Sequence, residues 1–303
     1  MALTYTGQRN LFGNLANNSS TANLALADTL MNEMRRRILS SRQWPFLERQ
    51  YTTTTDAANQ FVSFPSYVDR VSSVYVTIGN IRYTPNECTS REFWDTLNIV
   101  VISSNIPQWW YTFDGKVGLY PAPSTTGNTI TINSKRQIKD LTIADYTTGT
   151  ITTTSTTSGV TTVTGSGTAW TSQMIGKFIQ ITEAGSNTGD GFWYEIATVP
   201  SSTTLTLVRP YGGTAITAGS ANYIIGQLGL LPEPYQILPV YMALNVYFTS
   251  VDPDANKAQL YDGLAKDAYT QLVEDYGSKT TGVVVDFDGA SHNIINPNLT
   301  VTL

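Results

Sequence analysis

The chain has 303 residues, enough to bury a sizeable core and to hold two folded units. Only 14% of residues are charged and the net charge is −5, which argues against a nucleic-acid-binding domain driven by bulk positive charge. Cys88 is the only cysteine, which excludes an intrachain disulfide and a cysteine-based zinc site.

Charge is unevenly placed. Residues 1–50 hold six Arg and three Asp/Glu, whereas residues 228–303 hold three Lys and nine Asp/Glu. Such asymmetry can orient neighbouring subunits. The first residues lack the basic and apolar regions of a signal peptide. The 18 uncharged residues Pro234–Val251 contain Gln236, Pro239 and Asn245, so they read as a core helix rather than a membrane span.

Residues 1–18 read as extended and polar. Ser20 or Thr21 then caps a helix to about Ser40, with Leu24, Ala27, Met31, Met34 and Ile38 on one face and Asp28, Asn32, Glu33 and Arg36 opposite. Trp44-Pro45 follows its end. Phe61, Ser63, Val71, Val74, Val76, Ile78 and Tyr83 fit short strands, with Gly79-Asn80 as a turn. A brief helix over 91–97 takes its cap from Thr89 or Ser90. Asp114-Gly115 lies between the aromatic run Trp109–Phe113 and the run ending at Tyr120. That pattern predicts a hairpin with a type I′ turn, stopped by Pro121 and Pro123. Thr129–Gln137 reads as another strand.

No charge occurs from Tyr146 to Gly176, and thirteen threonines fall within residues 147–171. Phe178–Ile181, Trp193–Ile196 and Leu205–Val208 follow as regularly spaced strands. Residues 147–226 are therefore expected to form an inserted all-β module, sandwich or barrel-like, with threonines in its first strands. A helix follows Pro232-Glu-Pro234 to about Phe248. Asp252-Pro253 starts another, with Tyr261, Leu264, Ala265, Ala268, Leu272 and Tyr276 as its stripe and Gly277 as terminator. Residues 279–303 read as an extended arm. The expected class is α+β: a discontinuous helical main domain (1–146 and 227–278) with a small antiparallel sheet or hairpin, plus the β module.

Catalytic signals are weak. His292 is the only histidine and has no i+4 partner, and there is no Gly-x-Ser-x-Gly elbow. The carboxylate pairs Asp252/Asp254, Glu274/Asp275 and Asp286/Asp288 lack a supporting pattern, and capping explains the first. Gly165-Ser-Gly167 is not followed by Lys-Ser/Thr, so it is no phosphate loop. No cofactor or metal is expected. Arg35-Arg36-Arg37 with Arg42 and Arg49 forms a basic cluster suited to an acidic partner or to phosphate, or to the end of a helix. Val283, Val285 and Phe287 in the arm are candidate contacts to a neighbour or partner. Trp193-Tyr194 is a candidate exposed aromatic surface of the β module.

Several landmarks occur in a recognisable order: Leu24 before Met31-Asn-Glu-Met-Arg-Arg-Arg37, Arg42-Gln-Trp-Pro-Phe46, Asp69-Arg-Val71 with Val74-Tyr-Val76, Trp110–Lys116 into Leu119-Tyr-Pro-Ala-Pro123, and the helix pair after Leu231-Pro232. The whole resembles the head-to-tail adaptor (connector) proteins of tailed bacteriophages, the short-tailed phage type. Separately, Thr161–Trp170 with Met174-Ile-Gly176 resembles a β module common in phage virion proteins. The resemblance implies a non-enzymatic virion protein at the portal–tail junction, assembled in the host cytoplasm. It implies a homo-oligomeric, typically dodecameric, ring docked on the portal protein. That ring would lengthen the DNA channel, let dsDNA pass without sequence-specific binding, and offer a platform for a tail or nozzle protein. No membrane partner is implied. Two other readings stay open: a carbohydrate-binding tail or fibre protein using the aromatic module, and a tail-associated hydrolase.

Overall fold

A computed structural model describes residues 3–57, 59–65, 67–100, 102–154, 161–182 and 189–277. The described chain opens with α1 (Tyr5–Leu15) and α2 (Thr21–Ser40). Strands β1 (Glu48–Thr54), β2 (Phe61–Ser63), β3 (Val68–Ile78), β4 (Ile81–Tyr83) and β5 (Asn86–Glu87) lead to α3 (Arg91–Leu97). Next come β6 (Trp109–Phe113), β7 (Lys116–Tyr120) and β8 (Thr129–Arg136). Seven strands follow: β9 (Thr150–Thr153), β10 (Thr162–Ser166), β11 (Phe178–Ile181), β12 (Trp193–Ser201), β13 (Thr204–Leu207), β14 (Ile216–Ala221) and β15 (Tyr223–Gly226). Helices α4 (Leu238–Ser250) and α5 (Ala255–Tyr276) close the described part.

The four long helices pack together. Phe12 of α1 meets Tyr247 of α4 edge-on at 5.6 Å, and Met31 and Met34 of α2 join Val240, Leu244 and Phe248. Helix α4 is apolar on nearly every side because α1, α2 and α5 surround it. Its Pro239 sits in the first turn, where a missing N–H costs nothing. The α2 stripe lies inward as the spacing predicts. Asn32, expected on the opposite face, is buried instead: its amide donates to Leu141 O and accepts from Leu141 N, both at 2.9 Å. In the α5 stripe, Tyr261, Ala265 and Leu272 are buried but Leu264 is exposed. The cap of α5 is Asp254, not Asp252; its carboxylate accepts from the N–H groups of Asn256 and Lys257 at 3.1 Å each.

Residues 5–15, expected to be extended, form α1. Gly7, Asn10, Gly13 and Asn14 are weak helix formers. The helix is held instead by the Thr4 hydroxyl, which accepts from Gly7 N at 3.1 Å, and by the fully buried Phe12.

The expected helical main domain with one small antiparallel sheet is incorrect. Outside the seven-stranded sheet, the described residues form eight strands in two four-stranded sheets, ordered β1-β8-β3-β4 and β2-β7-β6-β5. Their inner faces close over Val71, Val74, Val76, Trp110, Val117, Leu119, Ile130 and Ile132, a sandwich core. The pair β5–β6 is parallel. Strand β1 explains part of the error: Glu-Arg-Gln-Tyr-Thr-Thr-Thr carries little apolar alternation, and pairing with β8 over seven residues makes it a strand.

The β6–β7 hairpin forms as its turn residues require, with positive φ at Asp114 and Gly115. Helix α3, capped by Ser90, lays Trp94 on the outer face of this sheet, stacked on Tyr111 at 5.4 Å. Gly118 makes room for it: a Cβ there would come within 2.6 Å of the Trp94 ring.

The seven-stranded sheet, β14-β9-β10-β13-β12-β11-β15, encloses one core that includes Ile151, Val163, Trp170, Ile179, Ile196, Leu205, Tyr211 and Tyr223. Its two edge strands, β14 and β15, are separated only by Asn222, so the edges meet there and the sheet is curled toward a barrel. Strand β12 pairs with β11 through its first half and with β13 through its second, with register shifts that bend it. The thirteen threonines of residues 147–171 are no accident of linker composition: several occupy β9 and β10.

Gly118→Ala is expected to destabilise the protein by about 1–3 kcal/mol through overpacking against Trp94. Gly263→Ala, where a Cβ in α5 meets open space, is expected to stabilise it by about 0.5–1 kcal/mol. Thermal denaturation of the two variants checks both signs.

Candidate functional site

The sequence-predicted chemistry does not converge. Among the described residues no group of three His, Cys, Asp or Glu could hold a metal ion. Asp254 caps α5, and the Lys257 backbone N–H holds its carboxyl below the usual range. Asp275 accepts from the Tyr235 hydroxyl. Asp286, Asp288 and His292 lie outside the described residues. No helix is long and apolar enough to cross a membrane among the described residues.

The basic cluster is dispersed around α2. Arg35 points inward, only 2% exposed, with its guanidinium on the Lys139 carbonyl and 4.0 Å from Asp140. Its Nε has no partner. Burial pulls its pKa down to about 10, with Asp140 opposing. Arg36 lies on the surface, 3.4 Å from Asp140 and 3.8 Å from Glu33. Arg37 pairs with Glu33 at 2.9 Å, and Arg42 is exposed. Three consecutive helical positions span most of the circumference, so the trio makes no single basic face.

Trp193 and Tyr194 do not form an exposed aromatic surface. Strand alternation turns Tyr194 and Ile196 into the core of the seven-stranded sheet. The Tyr194 hydroxyl donates to Asp190 and accepts from Gly212 N at 3.0 Å. Trp193 is half-buried, with its indole N–H enclosed. Val283, Val285 and Phe287 lie outside the described residues.

Two features missed in the sequence stand out. The first is an ion-pair node joining β1, β8 and β12. Glu195 accepts from Arg49 at 2.5 Å and from Arg136 at 2.9 Å, and Arg49 lies over the Tyr67 ring at 4.7 Å. Burial lowers the Arg136 pKa, against the pull of Glu195. Gly176 adjoins the node with φ of +78°, so a side chain there would be strained. The node borders a cleft of about 860 Å³ between the seven-stranded sheet and segment 137–143, which Arg35, Lys139, Ile143, Ile175, Lys177, Val208 and Leu230 also line.

The second is an apolar surface. Phe93 meets Trp109 edge-on at 5.0 Å, and Arg91 lies over Phe113 at 4.6 Å, which sets α3 beside the hairpin tip. Both phenylalanines are exposed. The loop leaving α3 adds Ile99 (78% exposed), Val100 (63%), Ile102 and Ile106. Backbone bonds Ser104 N to Ala122 O and Ala122 N to Ile102 O, each 2.9 Å, pin this loop beside the end of β7. The run Ile99-Val-Val-Ile102 was readable as four β-branched residues, yet it follows a helix without a turn signal, and Ile99, Val100 and Ile102 lie outside any strand.

A model of the SU10 adaptor protein family matches residues 4–156, half of the chain. The chain belongs to the SU10 adaptor protein family. The match takes in α1, α2, both four-stranded sheets and the apolar surface, and it ends just past β9. Membership makes the chain a structural adaptor protein of a bacteriophage, a component of the virion that acts in tail assembly. No match is found among curated proteins. In this SU10 adaptor family member Glu195 of the node falls beyond the matched residues, while Arg49 and Arg136 fall within them.

Glu195→Gln leaves two largely buried arginines without their shared counter-charge, and is expected to cost about 3 kcal/mol in chemical denaturation. Burial and the bond to Asp190 raise the Tyr194 pKa to about 12. Because the folded value lies above the unfolded value near 10, its stabilisation is present below pH 10 and lost as pH rises towards 12. Alkaline melting of the β strands, followed by circular dichroism, is expected to flatten over that window in Tyr194→Phe.

Proposed function

We propose that this adaptor forms a homo-oligomeric ring, dodecameric in the simplest case, between the portal and the tail of a phage particle. The ring lengthens the DNA channel and presents a platform for a tail or nozzle protein. The observation that carries this reading is the apolar surface of α3, its following loop and the hairpin tip. A chain this polar has little reason to leave Ile99, Val100 and Phe113 in water unless a partner covers them. A head-to-tail ring needs two different complementary surfaces on each copy, and the basic first fifty residues and acidic last quarter supply opposite charge. The net charge of −5 suits a channel that lets dsDNA pass without holding it.

The organisation proposed is a main domain of residues 1–146 with 227–278, an inserted module of 147–226 and an arm of 279–303. One core of its own, enclosed by strands within 150–226, supports the module boundaries. Arg36, Arg37 and Arg42 remain the exposed basic contacts of the main domain, towards the portal or a neighbouring copy. Membership in a structural adaptor family supports a role without enzymatic activity. Tyr194, one of the two aromatic residues of the carbohydrate-binding reading, is buried, which favours the adaptor reading over it.

Mass measurement of the purified protein, alone and with portal rings, tests this. Portal-bound copies in ring stoichiometry are expected; a permanent monomer that never joins portal overturns the proposal. Val100→Asp with Phe113→Asp is expected to abolish assembly while leaving the melting temperature of the monomer nearly unchanged, as substitution of exposed residues should.

A further inference from the structure

The cleft beside the Arg49–Glu195–Arg136 node is incompletely compensated. Its lining brings together Arg35, Arg49, Arg136, Lys139 and Lys177 against Asp140 and Glu195, a surplus of three positive charges in a chain of net charge −5. Glu195 is shared by two arginines. Arg35 is buried with an unpartnered Nε, and Asp140 lies at the limit of pairing distance and is shared with Arg36. Lys177 forms no ion pair among the described residues. A buried cation with so little compensation is costly unless an anion arrives. The same cleft exposes Ile143, Ile175 and Val208, which a phosphate backbone would leave in water.

The occupant must therefore be both acidic and apolar. The segment Gly282-Val-Val-Val-Asp-Phe-Asp288 has that composition. If extended, it sets Val283, Val285 and Phe287 on one side and Asp286 and Asp288 on the other. Its starting point is close by. Val273 and Tyr276 in the last turn of α5 pack in one cluster with Leu230, a cleft residue, and Ile138, between the cleft residues Gln137 and Lys139. The nine residues from Gly277 to Asp286 can span about 30 Å, ample for that distance.

We propose that residues 282–288 of the chain's own C-terminal arm dock in this cleft. Asp286 and Asp288 meet the surplus cations at Arg35, Arg136 and Lys177, and the apolar side chains cover Ile143, Ile175 and Val208. The docked arm bridges segment 137–143 and the seven-stranded sheet, and so clamps the β module against the main domain. This inference does not depend on ring formation.

Disulfide trapping in the full-length protein tests it. Ile175→Cys is combined with Val285→Cys, and separately Val208→Cys with Phe287→Cys. Both cleft positions are exposed and tolerate the change, and the native Cys88 is buried. Mild oxidation is read by non-reducing electrophoresis and peptide mass mapping. The expected result is an intrachain bond whose yield is independent of protein concentration in at least one pair, and absent when Cys is placed instead at Ile81 on the far edge strand β4. Adding Asp286→Lys and Asp288→Lys is expected to lower the yield about tenfold, the equivalent of about 1.4 kcal/mol. No bond in either pair, or an unchanged yield after charge reversal, overturns the proposal. A concentration-dependent bond between chains also overturns it and assigns the arm to a neighbouring copy.

Discussion

One carboxylate, that of Glu195, holds the two halves of this molecule in register. It sits on β12 and takes hydrogen bonds from Arg49 on β1 and Arg136 on β8, so a single side chain joins the curled sheet to the sandwich. Such a node is dear to assemble, because three charges lose water together. Its geometry repays part of that: Arg136 reaches both carboxylate oxygens, at 2.9 and 3.4 Å, and Arg49 gains the face of Tyr67. A hydrophobic contact of equal area would hold the halves together without fixing their angle. Directional charge-assisted bonds fix it.

This orientation matters more in a structural adaptor than in a free-standing domain. In the proposed ring, small errors at such a joint would be multiplied from copy to copy. The sandwich supplies stiffness of another kind, since its core residues are, Leu119 apart, β-branched or aromatic and interlock between two sheets. The Trp94 ring lies on Gly118 on the outer face, which leaves α3 little freedom to shift. The exposed apolar residues are thus carried on a firm support, and a partner that binds them pays little to order it.

Legibility from the sequence followed locality. The α2 stripe, the α4–α5 pair, the Asp114-Gly115 turn and strands β11, β12 and β13 of the curled sheet depend on residues a few positions apart, and periodicity and turn chemistry announced them, whereas β14 and β15 carried no such signal. The overall class was misjudged because helices declare themselves through a long period, whereas β1 and β5 are polar and become strands only through distant partners. Helix α1 was missed for the same reason: tertiary contacts at Thr4 and Phe12 override weak propensity. The Glu195 node had no local signature at all, since its partners lie 146 and 59 positions away. The apolar loop was visible as composition, but composition does not say whether a β-branched run is buried.

Helix α1 also explains how the curled sheet is anchored at its other joint. The chain enters that sheet past Asp145 and Tyr146 and leaves it past Gln227 and Leu228. Thr4 donates its hydroxyl to Asp145 at 2.7 Å, Tyr5 N donates to Gln227 O at 2.9 Å, and Tyr146 and Ile225 exchange backbone bonds. Thr4 is at once the cap of α1 and the clasp across the two crossing strands of chain. The far end of α1 is seated by Phe12 against α4. A load on the curled sheet therefore reaches the helical layer along a rigid helix, and reaches the sandwich through Glu195. Two separate attachments on different elements resist rotation about either one, which a simple two-strand linker could not do.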